Sequence, residues 1–193
     1  VTTISTIVKN AALDSVVIDG ASLHSAFPGS TGANELSGGS YARQSIVVNP
    51  SSGGLRLLNA SAVFPVPAST VRWVGFWSGT QWLFAAPNGG ATPRNFMSVA
   101  STDYIYSSAH GYIDGQRIVF LNGTPPGGIT EGQGYYVINA SADAFKVSDT
   151  PAGSAIDLTS PPSFGCVVCA LTESTYPSSS THTLDAMTFA IPD

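Results

Sequence analysis

The chain has 193 residues, and its 7 basic and 12 acidic side chains leave a net charge of −5. Only 10% of it is charged, whereas 26 serines and 17 threonines supply a hydroxyl-rich surface. Lys9 and Lys146 are the two lysines and the arginines are scattered, so no basic footprint for nucleic acid exists, and no apolar run reaches the ~18 residues of a membrane span.

The first predicted element is a helix over residues 2–15. Ile4, Val8 and Ala11 or Ala12 recur at helical spacing, Thr2 or Thr3 can cap the start, and Gly20 lies beyond the end. The reading then turns to β, with short candidates at Val16-Val17-Ile18 and Ala21-Ser22-Leu23-His24. A long Gly-rich loop covers 27–40, and strands over 41–49 and 55–64 flank the turn at 49–54. Residues 71–86 read as a hairpin turning at Ser78-Gly79-Thr80. In its first strand Trp73, Gly75 and Trp77 share one face while Val74 and Phe76 share the other, the pattern of a central strand covered on both sides. Trp73, Trp77 and Trp82 are expected in the core, with stacking on a sugar as the alternative.

Residues 87–95 read as a turn or linker, followed by a second β-unit. Its runs are Arg117–Leu121, Tyr135–Asn139 and Ala144–Ser148, cut by Asn122-Gly123, Pro125-Pro126-Gly127-Gly128 and Ser141-Ala142-Asp143. The last thirty residues return to the character of the first part, with strands at Val167–Leu171 and Thr183–Ile191. The fold expected is mainly β: two β-sandwich or small-barrel units with one short N-terminal helix. Residues 1–95 and 164–193 form the first unit, and 96–163 a module inserted into it; two beads split near Pro93 are the alternative.

Several long phrases resemble one family. The stretch HGYIDGQRIVFLNGTPPGGITEG, from His110 to Gly132, continues through Tyr135-Tyr136-Val137 and Phe145-Lys146-Val147-Ser148 to Ala155-Ile156-Asp157-Leu158-Thr159-Ser160. It resembles a β-module of tailed-bacteriophage virion proteins: tail fibres, minor tail proteins and capsid-decoration proteins. Ser22-Leu23-His24-Ser25, the run from Pro28 to Glu35, and Gly38-Gly39-Ser40-Tyr41-Ala42-Arg43-Gln44 are similar to another stretch of the same family. So is Phe64-Pro65-Val66-Pro67-Ala68-Ser69-Thr70-Val71 leading into Val74-Gly75-Phe76-Trp77-Ser78. The resemblance implies a virion location and a structural role, on head or tail. A surface so poor in charge lacks the usual guard against association, so the partners expected are further copies of the chain, as a trimer, and the major capsid or tail protein. In shorter members a terminal strand follows the hairpin directly, which is the ground for the inserted module.

The titratable residues point to no reaction centre, and neither enzymatic activity, cofactor nor metal is expected. His24, His110 and His182 stand apart and in no metal-binding spacing. No GxSxG elbow or P-loop is present. Asp114 and Glu131 can flank a glycosidic bond in principle, but each precedes a glycine and reads as a turn residue. Cys166 and Cys169 form a CxxC within a strand-like run, where residues three apart face opposite sides, so buried apolar filler is the better reading. The N-terminus has no cationic start before an apolar core, so a secretory signal is expected to be absent or removed.

Two surfaces remain as candidates. Tyr41 and Arg43 follow the Gly-rich loop; Arg43 either pairs with Glu35 or an aspartate, or holds a neighbour at a subunit junction. On the 96–163 module, Tyr104, Tyr106, Tyr112, Tyr135 and Tyr136 are candidates for an exposed receptor- or glycan-binding groove.

Overall fold

The structure is a computed structural model that describes residues 4–90 and 92–190. The fold is mainly β, with one short N-terminal helix and several sheets. Two compact units divide it: Val1–Ala86 with Ser174–Asp193, and Pro87–Glu173. No helix among the described residues is long and apolar enough to cross a membrane.

In chain order the first unit contains helix α1 (Thr6–Asp14) and strands β1 (Gly20–His24), β2 (Gln44–Ser45), β3 (Leu55–Leu57), β4 (Ala62–Val66), β5 (Ser69–Val71), β6 (Trp73–Ser78) and β7 (Gln81–Pro87). The second contains β8 (Arg94–Asn95), β9 (Met97–Val99), β10 (Tyr104–Tyr106), β11 (Arg117–Leu121), β12 (Gly134–Ile138), β13 (Ala144–Ser148) and β14 (Val167–Ala170). The chain ends in β15 (Ser174–Tyr176), β16 (Ser180–Leu184) and β17 (Thr188–Ala190).

The first unit pairs strands far apart in sequence. Its four-stranded sheet runs β2-β1-β6-β7, and the terminal strands form ribbons β15-β5, β16-β4 and β17-β3. Antiparallel register sets His24 opposite Trp73, Ser22 opposite Gly75 and Gly20 opposite Trp77. Alternation then sends Ala21, Leu23, Val74 and Phe76 into an apolar core with Phe64, Val71 and Phe189. Each fully buried side chain of this size contributes about 1.5–3 kcal/mol. β6 is covered on both faces, as its sequence predicts.

Helix α1 departs from expectation. It begins at Ser5, whose Oγ accepts from the Val8 N–H at 3.4 Å; the predicted caps Thr2 and Thr3 lie outside the described residues. The apolar residues at helical spacing point away from the unit. Ile7 is 82% and Val8 57% exposed, and no residue of α1 is buried. Leu13 alone of its apolar residues packs against the core, alongside polar anchors. Asp14 accepts from the Ser51 N–H and hydroxyl at 2.9 and 2.7 Å, Asn10 Oδ1 accepts from the Gly54 N–H at 2.8 Å, and Arg56 Nη1 donates to the Leu13 and Val16 carbonyls.

The second unit is a seven-stranded sheet ordered β8-β14-β11-β12-β13-β10-β9. Its centre, β11-β12-β13, is a meander of neighbours in sequence. Asn122 and Gly123 turn with φ of 62° and 145°, as a tight turn after a strand requires. Ile105, Ile118, Phe120, Tyr135, Val137, Phe145 and Val147 form its apolar core.

Three expectations on strand extent and one on strand pairing are corrected. The strand expected over 41–49 shrinks to Gln44–Ser45, and that over 55–64 divides into β3 and the start of β4. The terminal strand divides into β16 and β17, with residues 185–187 between them; Ile191 lies outside the described residues. Val167–Ala170, expected beside the N-terminal part, instead pairs with β11, Cys169 standing opposite Val119. Residues buried on both faces of β14 suit this interior position better than an edge.

Candidate functional site

One face of the four-stranded sheet carries the residues of the Ser22–Gln44 region. Ser22 and His24 are two apart on β1 and so share a face. The Trp77 indole N–H donates to Ser22 Oγ at 2.7 Å, Ser22 Oγ lies 2.7 Å from His24 Nε2, and His24 Nδ1 lies 2.7 Å from the Ala33 carbonyl. A carbonyl only accepts, so Nδ1 carries the proton, Nε2 is bare, and the Ser22 hydroxyl donates to it. Burial lowers the His24 pKa below the ordinary 6.5, although the bond to Ala33 opposes this. The imidazole is therefore held neutral.

The Gly-rich loop covers this face. Phe27 packs on Trp73 with ring centroids 5.0 Å apart, and Asn34, at φ 60°, donates to the Phe27 carbonyl. Two glycines leave the room required. A Cβ on Gly75 would stand 2.5 Å from His24 Nε2 and from Trp82, and 2.6 Å from Ser22 Oγ. A Cβ on Gly32, at φ +74°, would stand 2.7 Å from the Trp82 ring. The pair Ser22–His24 has the spacing of a nucleophile and its base, but both are fully buried. As built, it fastens the loop to the sheet.

At the rim, Glu35 and Arg43 meet. Arg43 Nε donates to both Glu35 oxygens at 3.0 Å and Nη2 to Oε2 at 2.7 Å, while the guanidinium lies 3.3 Å from the centroid of the Trp77 ring. Tyr41 Oη accepts from the Leu23 N–H at 2.8 Å and lies 3.3 Å from Glu35 Oε1. Burial, chiefly, raises its pKa above the ordinary tyrosine range. So Tyr41, Glu35 and Arg43 are brought together, and the pairing of Arg43 with Glu35 is the one found. Arg43 also borders a polar hollow of ≈ 390 Å³ with Asp19, Gln44, Ser45 and Gly79. A planar guanidinium pre-set by a carboxylate and an indole can receive carbonyl or carboxylate groups from a neighbour there.

A second concave surface of this unit went unforeseen in the sequence. An apolar groove of ≈ 440 Å³ runs beside α1, lined by Ala12, Leu13, Val16, Phe84, Met187 and Phe189 among others. Of the apolar residues read at helical spacing, Ile4, Val8 and Ala11 do not line it and Ala12 does.

The tyrosines of the second unit do not form one groove. Tyr112 and Tyr135 are buried, 7% and 1% exposed, and are removed from the candidate ligand surface. One hydrogen bond each makes this tolerable: Tyr112 Oη donates to the Val168 carbonyl at 3.3 Å and Tyr135 Oη accepts from the Thr130 N–H at 2.8 Å. Burial, first, and then the neighbouring Cys169 push the Tyr112 hydroxyl up to about 12. Tyr136 is half-buried beneath Arg117, whose Nη1 donates to its hydroxyl at 3.0 Å. Tyr104 and Tyr106 remain accessible near the sheet edge, their rings 6.1 Å apart, with Lys146 Nζ 4.8 Å from the Tyr104 ring centroid and Met97 and Val99 opposite them.

Asp114 accepts from the Ala140 N–H at 2.8 Å and Glu131 from the Asn122 N–H at 3.0 Å; both tie turns. Cys166 and Cys169 are free and buried, and burial pushes the Cys169 thiol up to about 11. No group of three or more metal-ligating side chains occurs among the described residues. The chain matches no family model, and no curated protein or solved structure matches it.

Proposed function

We propose that this protein is a non-enzymatic structural subunit of a bacteriophage virion, a capsid-decoration or tail protein that acts by associating with its own copies and with the major shell or tail protein. The observation that carries this reading is the character of the surface. Ile7, Val17, Val47, Val63, Met97, Ile113 and Phe164 are each more than half exposed in a chain with 10% charged residues. Water-facing apolar groups without charged guards suit burial against other subunits. The phrase-level resemblance supports the virion assignment, and the self-assembly proposed is a trimer. The resemblance also supports the finer architecture, two sandwich-like or small-barrel bodies with the second inserted in the first. In such an assembly Arg43 would take a neighbour's carbonyl or carboxylate in the hollow it borders.

The test is reconstitution on phage particles assembled without this chain. The purified protein is expected to self-associate and to co-sediment with those particles. A persistent monomer that ignores them overturns the reading.

A second reading, a receptor- or glycan-binding module, has one observation in its favour: Tyr104 and Tyr106 lie side by side with Met97 and Val99 on one accessible patch. Glycan arrays with the full chain, repeated with Tyr104→Ala and Tyr106→Ala, would show binding that both substitutions abolish.

A further inference from the structure

The pair Asn-Gly occurs twice in the chain, at Asn88-Gly89 and Asn122-Gly123, and the fold treats the two differently. Asn88 is 6% exposed, its carbonyl accepts from the Thr172 N–H at 3.2 Å, and Gly89 lies against the Thr172 side chain. Asn122 and Gly123 are both exposed, at the turn that follows β11. The bonds that hold this turn run through main-chain donors. The Asn122 N–H donates to Glu131 Oε1 at 3.0 Å and the Thr124 N–H to Ser163 Oγ at 2.8 Å, while the Asn122 side chain stands in water. Asn139 offers a second contrast. It is exposed at φ 53°, much as Asn122 is at φ 62°, but Ala140 follows it and donates its N–H to Asp114 Oδ1 at 2.8 Å. A Cβ and an engaged N–H both hinder attack by that nitrogen, whereas Gly123 brings no Cβ.

We infer that Asn122-Gly123 is a site of spontaneous covalent modification, deamidation with rearrangement of the backbone. The Gly123 amide nitrogen gives up its proton and attacks Asn122 Cγ. The new N–Cγ bond closes a five-membered succinimide, the Cγ–Nδ2 bond breaks, and Nδ2 leaves with a proton as ammonia. Water then opens the ring. Addition at Cγ restores the ordinary main chain with aspartate at 122. Addition at the main-chain carbonyl carbon of residue 122 leaves the chain running through the side chain, as isoaspartate. One ammonia leaves, one water enters, and nothing is oxidised or reduced. Either product adds one negative charge to the −5 of the chain, on the residue whose N–H holds the Glu131 carboxylate. Like charges so placed repel, which loosens the tie between residues 122 and 131. The isoaspartyl form also lengthens the main chain by one carbon, at a turn that Gly123 makes with φ 145°.

The experiment ages the full chain in mildly alkaline buffer, folded and in urea. Ion exchange follows the acidic species, and mass spectrometry follows the peptides that carry residues 88 and 122. In the folded chain the 122 peptide is expected to gain one mass unit and to accept methyl groups from an isoaspartyl methyltransferase. The 88 peptide reacts only through local opening and is expected to lag about tenfold or more. In urea the two should react at similar rates. Asn122→Gly suits the positive φ and lacks the carboxamide, so it should abolish the acidic species formed at this turn. A folded chain whose 122 peptide keeps its mass, while the same peptide reacts in urea, overturns the inference. So do equal rates at 88 and 122 in the folded chain, and acidic species that form undiminished in Asn122→Gly.

Discussion

The two units solve the same problem, a stable antiparallel sheet, by different means. In Pro87–Glu173 the central strands follow one another along the chain, and β11, β12 and β13 close through short turns onto a core of Phe120, Tyr135 and Phe145. In the other unit β1 pairs with β6, and β3, β4 and β5 wait for strands from beyond residue 173. There one sheet face is fastened by a polar relay, Trp77 to Ser22 to His24 to Ala33, in addition to the packing of Phe27 on Trp73. Distant pairing costs more loop entropy and gains from a directional clasp; local pairing manages with shape.

Substitutions can break this contrast. The largest effect is expected in the apolar core: Phe145→Ala should cost about 3–5 kcal/mol. Hydrogen exchange should show fast amides confined to 87–173, and protection loss spread evenly over both units would refute the separation. Next comes Gly75→Ala, whose methyl collides with His24, Trp82 and Ser22 and should cost about 1–3 kcal/mol. Here the exchange should rise in β1, β6 and the 27–40 loop. His24→Ala leaves the Ala33 carbonyl and Ser22 without their partner and should cost about 1–3 kcal/mol, read from urea midpoints.

Acid sharpens the same distinction. His24 and His182 both belong to the first unit, and burial lowers both pKa values below 6.5. As pH falls through 6.5 the unfolded chain takes up protons that the folded unit refuses, so stability falls until the folded histidines themselves protonate. Urea midpoints should therefore drop between neutral pH and pH 5, and His24→Ala should flatten that slope; an unchanged slope would remove His24 from the account. The smallest effect belongs to Arg43→Ala. Its side chain is 41% exposed, and an exposed ion pair with a cation–π contact is worth about 1 kcal/mol or less.

This contrast also explains what could be read in advance. The strands at Arg117–Leu121 and Ala144–Ser148 and the 73–87 hairpin were legible because their signals, alternation and turn residues, are local. The side from which α1 docks was not, since it depends on Ser51, Gly54 and Arg56, some forty residues away. Tyr112 and Tyr135 were misplaced because a tyrosine is at home on a surface or, given one partner for its hydroxyl, inside. The relay had a faint trace: Ser22 and His24 two apart on a strand, and a glycine between two tryptophans on another. Only their register, Ser22 against Gly75, shows that the two patterns belong together.

One distribution of residues has a practical consequence. Trp73, Trp77 and Trp82 all lie in the first unit, and Cys166 and Cys169 both lie in the second. Indole emission thus reports on one half of the chain and thiol alkylation on the other, so each half's opening can be timed in the same unlabelled, unmutated sample.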